Sequence, residues 1–323
     1  MNHILITGVA GFIGSHTAYR YLDKGWRVTV FDNLSRRGSE HNLNRLRSHP
    51  NAAHLTFIRG DVRDTDALLH AVTGTDAILH AAGQTAVTTS MADPVILYTS
   101  TNKVYGAMED VRIALRDDHY QYVEFPDGMT ETQPLDFHSP NGCSKGAGDQ
   151  YIRDYARIYD LKTVVFRQSC IYGTWQFGVE DQGWVAFFAI ASLLDFPLTI
   201  YGDGKQVRDV LYIDDLVALY ERAIDEGELV AGEVFNVGGG PANAISLLDL
   251  LELLAELHGR PVDYSFSTWR PGDQRVYVSD TRKAAQRLGW QPAVSMRDGI
   301  TRMVHWMAGN MPLLHAVREA AHG

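Results

Sequence analysis

Four short runs rich in aliphatic and β-branched residues recur through the first third of the chain: HILIT (3–7), RVTVFD (27–32), HLTFI (54–58) and DAILHAA (76–82). Amphipathic stretches such as 12–24 and 64–72 lie between them. Strands alternating with helices argue a parallel sheet covered by helices. The expected fold is therefore α/β, a Rossmann-type doubly wound parallel sheet. VILYTST (95–101), KTVVFRQS (162–169) and EVFNVGG (233–239) read as further strands, and 141–159 as a helix with apolar and aromatic positions at helical spacing. After about residue 170 the pattern loosens, and Trp175, Phe177 and Trp184 crowd a Gly-rich stretch. The division expected is a first domain over 1–169 and a smaller C-terminal lobe over 170–323, interleaved with it.

One connection is short. Only Gly83 to Pro94 separate DAILHAA from VILYTST. Neighbouring parallel strands need a crossover of about a dozen residues or more, usually containing a helix. This link could cross only barely, with no room for a full helix.

TGVAGFIGS follows the first strand and opens the first helix, placing Gly8, Gly11 and Gly14 three residues apart. Glycines so placed permit a tight turn and let backbone N–H groups approach a pyrophosphate at the helix N-terminus. Asp32 ends the second strand, where a carboxylate accepts both hydroxyls of an adenosine ribose. It would repel a 2′-phosphate, which favours NAD over NADP; Arg36 and Arg37 just beyond it leave NADP open. GDVRD (60–64) closes the third strand and would put Asp61 and Val62 beside the adenine.

The composition excludes other classes. The net charge is −10 with no evident basic patch, which argues against a nucleic-acid partner. Cys143 and Cys170 form no C-x-x-C pair and no histidine cluster flanks them, so neither a metal site nor a disulfide framework is expected. MNHILITGVAG lacks a basic n-region, and no apolar stretch approaches the ~18 residues that would cross a membrane. The expectation is a cytoplasmic protein without a membrane partner.

With these residues in place the chain resembles the extended short-chain dehydrogenase/reductase superfamily. YTSTNKVYG (98–106), PLDFHSPNGCSKGAGDQY (134–151), FRQSCIYG (166–173), QFGVEDQGWVAFF (176–188), YGDGKQVRDVLYIDDL (201–216) and WRPGDQRVYVSD (269–280) narrow the likeness to the CDP-paratose 2-epimerase (CDP-tyvelose epimerase) family, over nearly the whole chain. The resemblance implies an NAD-dependent epimerisation of a nucleotide-activated hexose, at C2 of a CDP-sugar, through a transient 2-keto intermediate. It implies that NAD is held by Gly8, Gly11, Phe12, Ile13 and Gly14 of the turn, by Asp32, Asn33, Ser35 and Arg36 beyond the second strand, and by Asp61, Val62, Ala82 and Lys145. Thr101 aligns with the Ser/Thr that binds the reacting hydroxyl. Gln176, Tyr201, Arg208 and Arg270 are implied for substrate, the two arginines as a diphosphate clamp. Asp214 and Asp215 read as caps of the following helix, and GGG (238–240) as a loop.

Three departures stand against that pattern. The family's catalytic tyrosine, four residues before Lys145, is Asn141 here. An amide exchanges no proton near neutral pH and cannot be the acid/base. The short crossover lacks the helix that pairs with the Tyr/Lys helix in the usual homodimer. Its loss would uncover the apolar side of 147–158, including Ile152, Tyr155 and Ile158, and puts that dimer in doubt. TWQFG (174–178) replaces the family's usual Pro-Arg before Gln176. Two readings therefore stand: an NAD-dependent nucleotide-sugar epimerase, or a relative that binds NAD or a nucleotide sugar without efficient turnover.

Overall fold

The computed structural model describes residues 2–36, 38–82, 94–270 and 273–319. The chain opens with β1 (His3–Thr7), α1 (Phe12–Asp23), β2 (Arg27–Asp32), α2 (Ser39–Arg47) and β3 (Leu55–Arg59). Helix α3 (Thr65–Val72) follows, its N-cap Asp64 accepting the Ala67 N–H at 3.1 Å, a bond that stabilises a helix start by about 1 kcal/mol. Then come β4 (Ala77–His80), β5 (Val95–Thr101), the hairpin β6 (Ile113–Arg116) and β7 (His119–Tyr122), the long helix α4 (Ser139–Tyr159), β8 (Thr163–Gln168) and β9 (Cys170–Tyr172). The C-terminal half supplies α5 (Trp184–Leu193), β10 (Leu198–Tyr201), β11 (Val207–Tyr212), α6 (Ile213–Asp225), β12 (Glu233–Val237), β13 (Ala244–Ser246), α7 (Leu247–His258), β14 (Tyr264–Ser267), β15 (Val276–Tyr277), α8 (Arg282–Leu288), α9 (Met296–Gly309) and α10 (Met311–Glu319).

Seven strands form one sheet in the order β12-β8-β5-β4-β1-β2-β3, every neighbouring pair parallel. Its two faces are buried by different helices, which is why its strands are apolar at successive positions. Ile4 and Ile6 pack with Ala18, Leu43 and Leu216 on one side, and Leu5 with Leu68, Val72 and Ile152 on the other. All seven main-sheet strands coincide with the apolar runs read from the sequence. The sheet is of the doubly wound Rossmann type, and the chain reverses direction across it between β1 and β4. The carboxyl ends of strands flanking such a switch point form the crevice where ligands bind in this architecture.

Strand β12 returns from the C-terminal half to pair with β8 at the edge of the main sheet, Val234 opposite Val165. Outside that sheet, β11 is flanked by β13 and β15 and also pairs with β9, and β10 pairs with β14. Strands β4 and β5 are direct parallel neighbours, with Ala77 opposite Val95. Their connection is therefore a crossover, but residues 83–93, on which the short-link expectation falls, lie outside the described residues.

Two expectations need correction. Asp214 and Asp215 do not cap α6: its N-cap is Tyr212, with no side-chain cap bond. Asp215 instead accepts the Val294 N–H at 3.0 Å, tying the C-terminal segment to the helix. Nor is Ile152 uncovered. It is 2% exposed and packs beneath the sheet with Tyr98 and Val165, while Tyr151, Ile158 and Tyr159 face solvent. One residue is 100° of helix, so 151 and 158 share an outward face that 152 leaves.

Candidate active site

The turn after β1 is closed by backbone, not by side chains. Gly8 has φ +71°, and a Cβ there would lie 2.8 Å from the Ala82 nitrogen at the end of β4. A Cβ on Gly14 would lie 2.6 Å from the Val9 Cα and 2.8 Å from the Gly8 carbonyl oxygen. Only residues without a side chain let the strand end, the helix start and β4 come this close. Gly11, Phe12 and Ile13 open α1 between them. Asp32, at the end of β2, bridges the turn to the next loop: one carboxylate oxygen accepts the Ala10 N–H at 3.0 Å and the other the Leu34 N–H at 2.7 Å.

Beyond Asp32, the Asn33 side-chain oxygen accepts the Ser35 N–H at 3.0 Å. Arg36 donates to the Gln182 side chain at 2.5 Å, so its guanidinium reaches across to the C-terminal half; Arg37 lies outside the described residues. Asp61 is held by Arg63 at 2.7 Å, and those hydrogen bonds keep its carboxyl well below the usual carboxylate range. Val62 packs against the α3 face of the core. Asn33, Ser35 and Arg36 are exposed, while Asp32, Asp61, Val62 and Ala82 are half-buried.

Helix α4 carries the next part of the site. Lys145 reaches from it to the ends of β4 and β5, donating to the Thr99 carbonyl at 2.8 Å and the Ala82 carbonyl at 3.5 Å, over the Tyr98 ring. Burial, with the charge of Arg36 adding, lowers its pKa to about 8. The lysine is thus still largely cationic at neutral pH. Two residues past Thr99, Thr101 ends β5 and caps the following turn, its hydroxyl oxygen accepting the Lys103 N–H at 3.2 Å. Asn141, at the start of α4, is solvent-exposed, as are Cys143 and Ser144.

What fixes α4 is a network the sequence reading missed. Asp149, four residues after Lys145, is fully buried and forms a two-bond ion pair with Arg167 of β8 at 2.8 and 3.0 Å. Ser100 of β5 donates to the same carboxylate at 3.0 Å. Arg167 also reaches the Tyr105 hydroxyl at 3.0 Å, which donates to Asn236 of β12 at 2.7 Å. Breaking a buried pair by removing one partner costs about 3–5 kcal/mol, so this network holds the register of α4 against the sheet. The signal available was a lone aspartate on the inner face of a helix and an arginine in a buried strand.

The residues expected to take substrate fall into separate clusters. Gln176 is buried, its amide donating to the Ile171 carbonyl at 3.1 Å, while among the described residues its side-chain oxygen has no partner. Arg270 stacks on the Tyr201 ring at 3.8 Å and forms ion pairs with Glu180 and, at 3.2 Å, with Asp181; the Tyr201 hydroxyl donates to Glu180 at 2.9 Å. Arg208 donates to the Val207 and Gln274 carbonyls at 2.8 and 2.6 Å. Gly238 of the GGG loop is pressed on Asp209, where a Cβ would lie 2.0 Å from the carboxylate, so the loop is a packing element. In TWQFG, Trp175 packs at a 43° tilt against Trp306, ring centroids 5.3 Å apart, and lies beneath Arg45. Among the described residues no group of three or more His, Cys, Asp or Glu could hold a metal ion, and no helix is long and apolar enough to cross a membrane.

Comparison with known proteins gives the arrangement its relatives. The family model for GDP-mannose 4,6 dehydratase matches residues 5–303. A CDP-paratose 2-epimerase of Salmonella typhi is 41% identical, the match covering 94% of this chain and 98% of the relative. Among solved structures, a UDP-glucose 4-epimerase of Thermotoga maritima with UDP-glucose superposes with a TM-score of 0.79 at 27% identity, covering 96% of this chain and 99% of that one. A dTDP-glucose 4,6-dehydratase of Streptomyces venezuelae with NAD bound gives the same score and identity, covering 98% and 99%.

Proposed function

The chain belongs to the family described by the GDP-mannose 4,6 dehydratase model, and from that premise we propose that it is an NAD-dependent nucleotide-sugar epimerase acting at C2 of a CDP-activated hexose. The observation that carries the reading is the intact cradle at the switch point: a turn that a Cβ at Gly8 or Gly14 would fill, with the Asp32 carboxylate and the Lys145 ammonium to either side. These residues fit a dinucleotide. Backbone N–H groups of Phe12, Ile13 and Gly14 would meet the pyrophosphate, with Gly11 closing the turn onto the Gly8 carbonyl so that a ligand can approach. Asp32 would take the adenosine ribose hydroxyls, Asn33, Ser35, Arg36, Asp61 and Val62 the adenosine surroundings, and Ala82 and Lys145 the nicotinamide ribose. When bound, the dinucleotide supplies the hydride acceptor and donor that epimerisation through a keto intermediate needs.

The hydroxyl proton released with that hydride would pass to water, since Asn141 cannot accept it. Thr101 holds the reacting hydroxyl, and Gln176, Tyr201, Arg208 and Arg270 take the nucleotide sugar, within a substrate lobe assigned to 170–323. Arg36, engaged with Gln182 rather than free beside Asp32, supports NAD over NADP. A second reading rests on Asn141, an exposed amide where the family's proton carrier would stand: a relative that binds its ligands without efficient turnover.

A CDP-hexose deuterated at C2, incubated with protein and NAD, separates the two. Deuterium found in the cofactor, with the C2 epimer as product, supports the epimerase. Tight NAD and CDP-sugar binding without exchange assigns the protein to the second reading. Exchange with UDP- or dTDP-sugars alone would overturn the choice of CDP.

A further inference from the structure

One side of α2 and its C-cap carries four polar residues at helical spacing, His41, Asn44, Arg45 and Ser48, while Leu43 and Leu46 of the same helix are buried in the core. Tyr19 of α1, Trp175 and Leu313 of α10 complete a groove of about 620 Å³ with them. That size lies within the roughly 300–1,000 Å³ of small-molecule sites. None of these residues is among those assigned above to the dinucleotide or the sugar.

The groove is built around the Arg45 guanidinium. The centre of the Tyr19 ring lies 4.5 Å from the guanidinium carbon, and that of the Trp175 ring 5.0 Å. Trp175 is held there under strain: its φ is +60°, left-handed backbone that a bulky residue rarely adopts, and Trp306 packs against its ring. Ring faces attract a cation but accept none of the five N–H bonds that a guanidinium offers in its own plane. Among the described residues nothing else accepts them. The guanidinium makes no hydrogen bond or ion pair, and its Nη1 is buried without a partner. Burial is the largest influence on Arg45 and pulls it below the ordinary arginine range. Asp214 and Asp23 oppose that only from beyond ion-pair distance, and Asp23 is engaged by His49 at 3.0 Å.

We propose that this groove binds a small aromatic anion, its carboxylate or phosphate held by Arg45 and its flat ring against Trp175 and Leu313. Such a group supplies acceptors in the guanidinium plane, where the two rings supply none, and a planar guanidinium meets it with two parallel bonds. An inorganic ion would fill a small part of the groove and leave its apolar wall wet, so the ligand carries a ring as well as a charge.

Calorimetric titration of phenyl phosphate and of benzoate into the full chain tests this and tells the two kinds of anion apart. At least one should bind once per chain, and more tightly than inorganic phosphate or acetate, which lack the ring. Loss of a charged hydrogen bond predicts that Arg45→Gln weakens that probe about 10- to 100-fold, with NAD affinity unchanged. Asn44 is exposed at the edge of the groove, so Asn44→Asp should weaken the probe by charge repulsion without disturbing the fold, and it decides alone if Arg45→Gln does not fold. Of the six indole N–H resonances, the one missing from Trp175→Phe should shift on binding. A purely structural Arg45 would lower the melting temperature when replaced yet leave probe binding as in the wild type, and that result overturns the proposal. So does a wild type that binds neither probe in the millimolar range, or one in which binding leaves the Trp175 resonance unmoved.

Discussion

The turn after β1 and the side chains proposed for substrate, Arg208 and Arg270 among them, were both singled out in the sequence, but they are held by different means. The turn is backbone. Its glycines are required by contacts of 2.6–2.9 Å, and Asp32 is held in place by two main-chain N–H groups. The second set is made of long side chains that already have partners within the chain. Arg270 lies on two carboxylates, Arg208 on two carbonyls, and one oxygen of Gln176 is buried without a partner. The first is fixed by main-chain contacts; the second rests on side-chain contacts. Losses in the second set can therefore leave the turn untouched.

The largest effect that would sharpen this contrast comes from Asn141→Tyr. A tyrosine four residues before Lys145 shares its helical face and would stand beside its cationic ammonium, which favours the phenolate. General acid–base catalysis contributes about 10²- to 10⁴-fold. The variant should gain up to that factor in turnover of a CDP-hexose, with NAD affinity unchanged. A variant as slow as the parent, still binding both ligands, would mean that the fault lies beyond the proton carrier. A parent already fast would mean that another residue carries the proton.

Gly14→Val attacks the other region. Its Cβ would have to displace the Val9 backbone. Overpacking of this kind destabilises by about 1–3 kcal/mol, and here the shift falls on the N–H groups proposed to meet the pyrophosphate. NAD affinity should drop at least ~100-fold while CDP binding survives. Equal losses of both ligands would show that the two regions are one unit.

The contrast also explains how much of the molecule could be read in advance. Glycine spacing, the strand-end aspartate and doubly apolar strands are local properties, so the sheet and the turn were legible. The Asp149–Arg167 pair and the Glu180–Arg270 contact join residues 18 and 90 positions apart. No periodicity records such meetings. Ile152 shows the same limit within one helix: Tyr151 and Ile158 outside and Ile152 inside differ by helical phase, and the phase is set by the buried Asp149, not by the apolar residues themselves.

A smaller effect concerns the helix behind the turn. His16 of α1 is buried; its Nδ1 donates to the Phe12 carbonyl at 3.1 Å and its Nε2 has no partner. Burial, with the nearby Arg45 charge, lowers its pKa from 6.5 to about 3. Between those values the unfolded chain binds a proton that the folded chain refuses. Stability from this residue is therefore full above pH 6.5 and is lost, at about 1.4 kcal/mol per pH unit, as pH falls toward 3. Urea unfolding followed across that window should show a correspondingly shallower slope for His16→Asn than for the wild type. Identical slopes would refute the assignment.

The smallest effect tests whether the carboxylate partners of Arg270 compete with substrate. Arg270 is about one-third exposed, and its partners Glu180 and Asp181 are half or more exposed, so the pairs contribute at most about 1 kcal/mol and are screened by salt. A diphosphate offers the same guanidinium two charge-assisted bonds and more charge, and it must displace the carboxylates to take them. The double variant Glu180→Gln, Asp181→Asn removes the competitor and its repulsion of the incoming phosphate. The side-chain amide oxygen that replaces the Glu180 carboxylate can still accept the Tyr201 hydroxyl and so keep the ring under Arg270. CDP should bind up to ~5-fold more tightly at low salt, an advantage that vanishes near ~0.5 M salt, where the Debye length is only a few Å, with NAD affinity unmoved. Weaker CDP binding in the double variant would mean that the carboxylates orient Arg270 for the ligand rather than occupy its place.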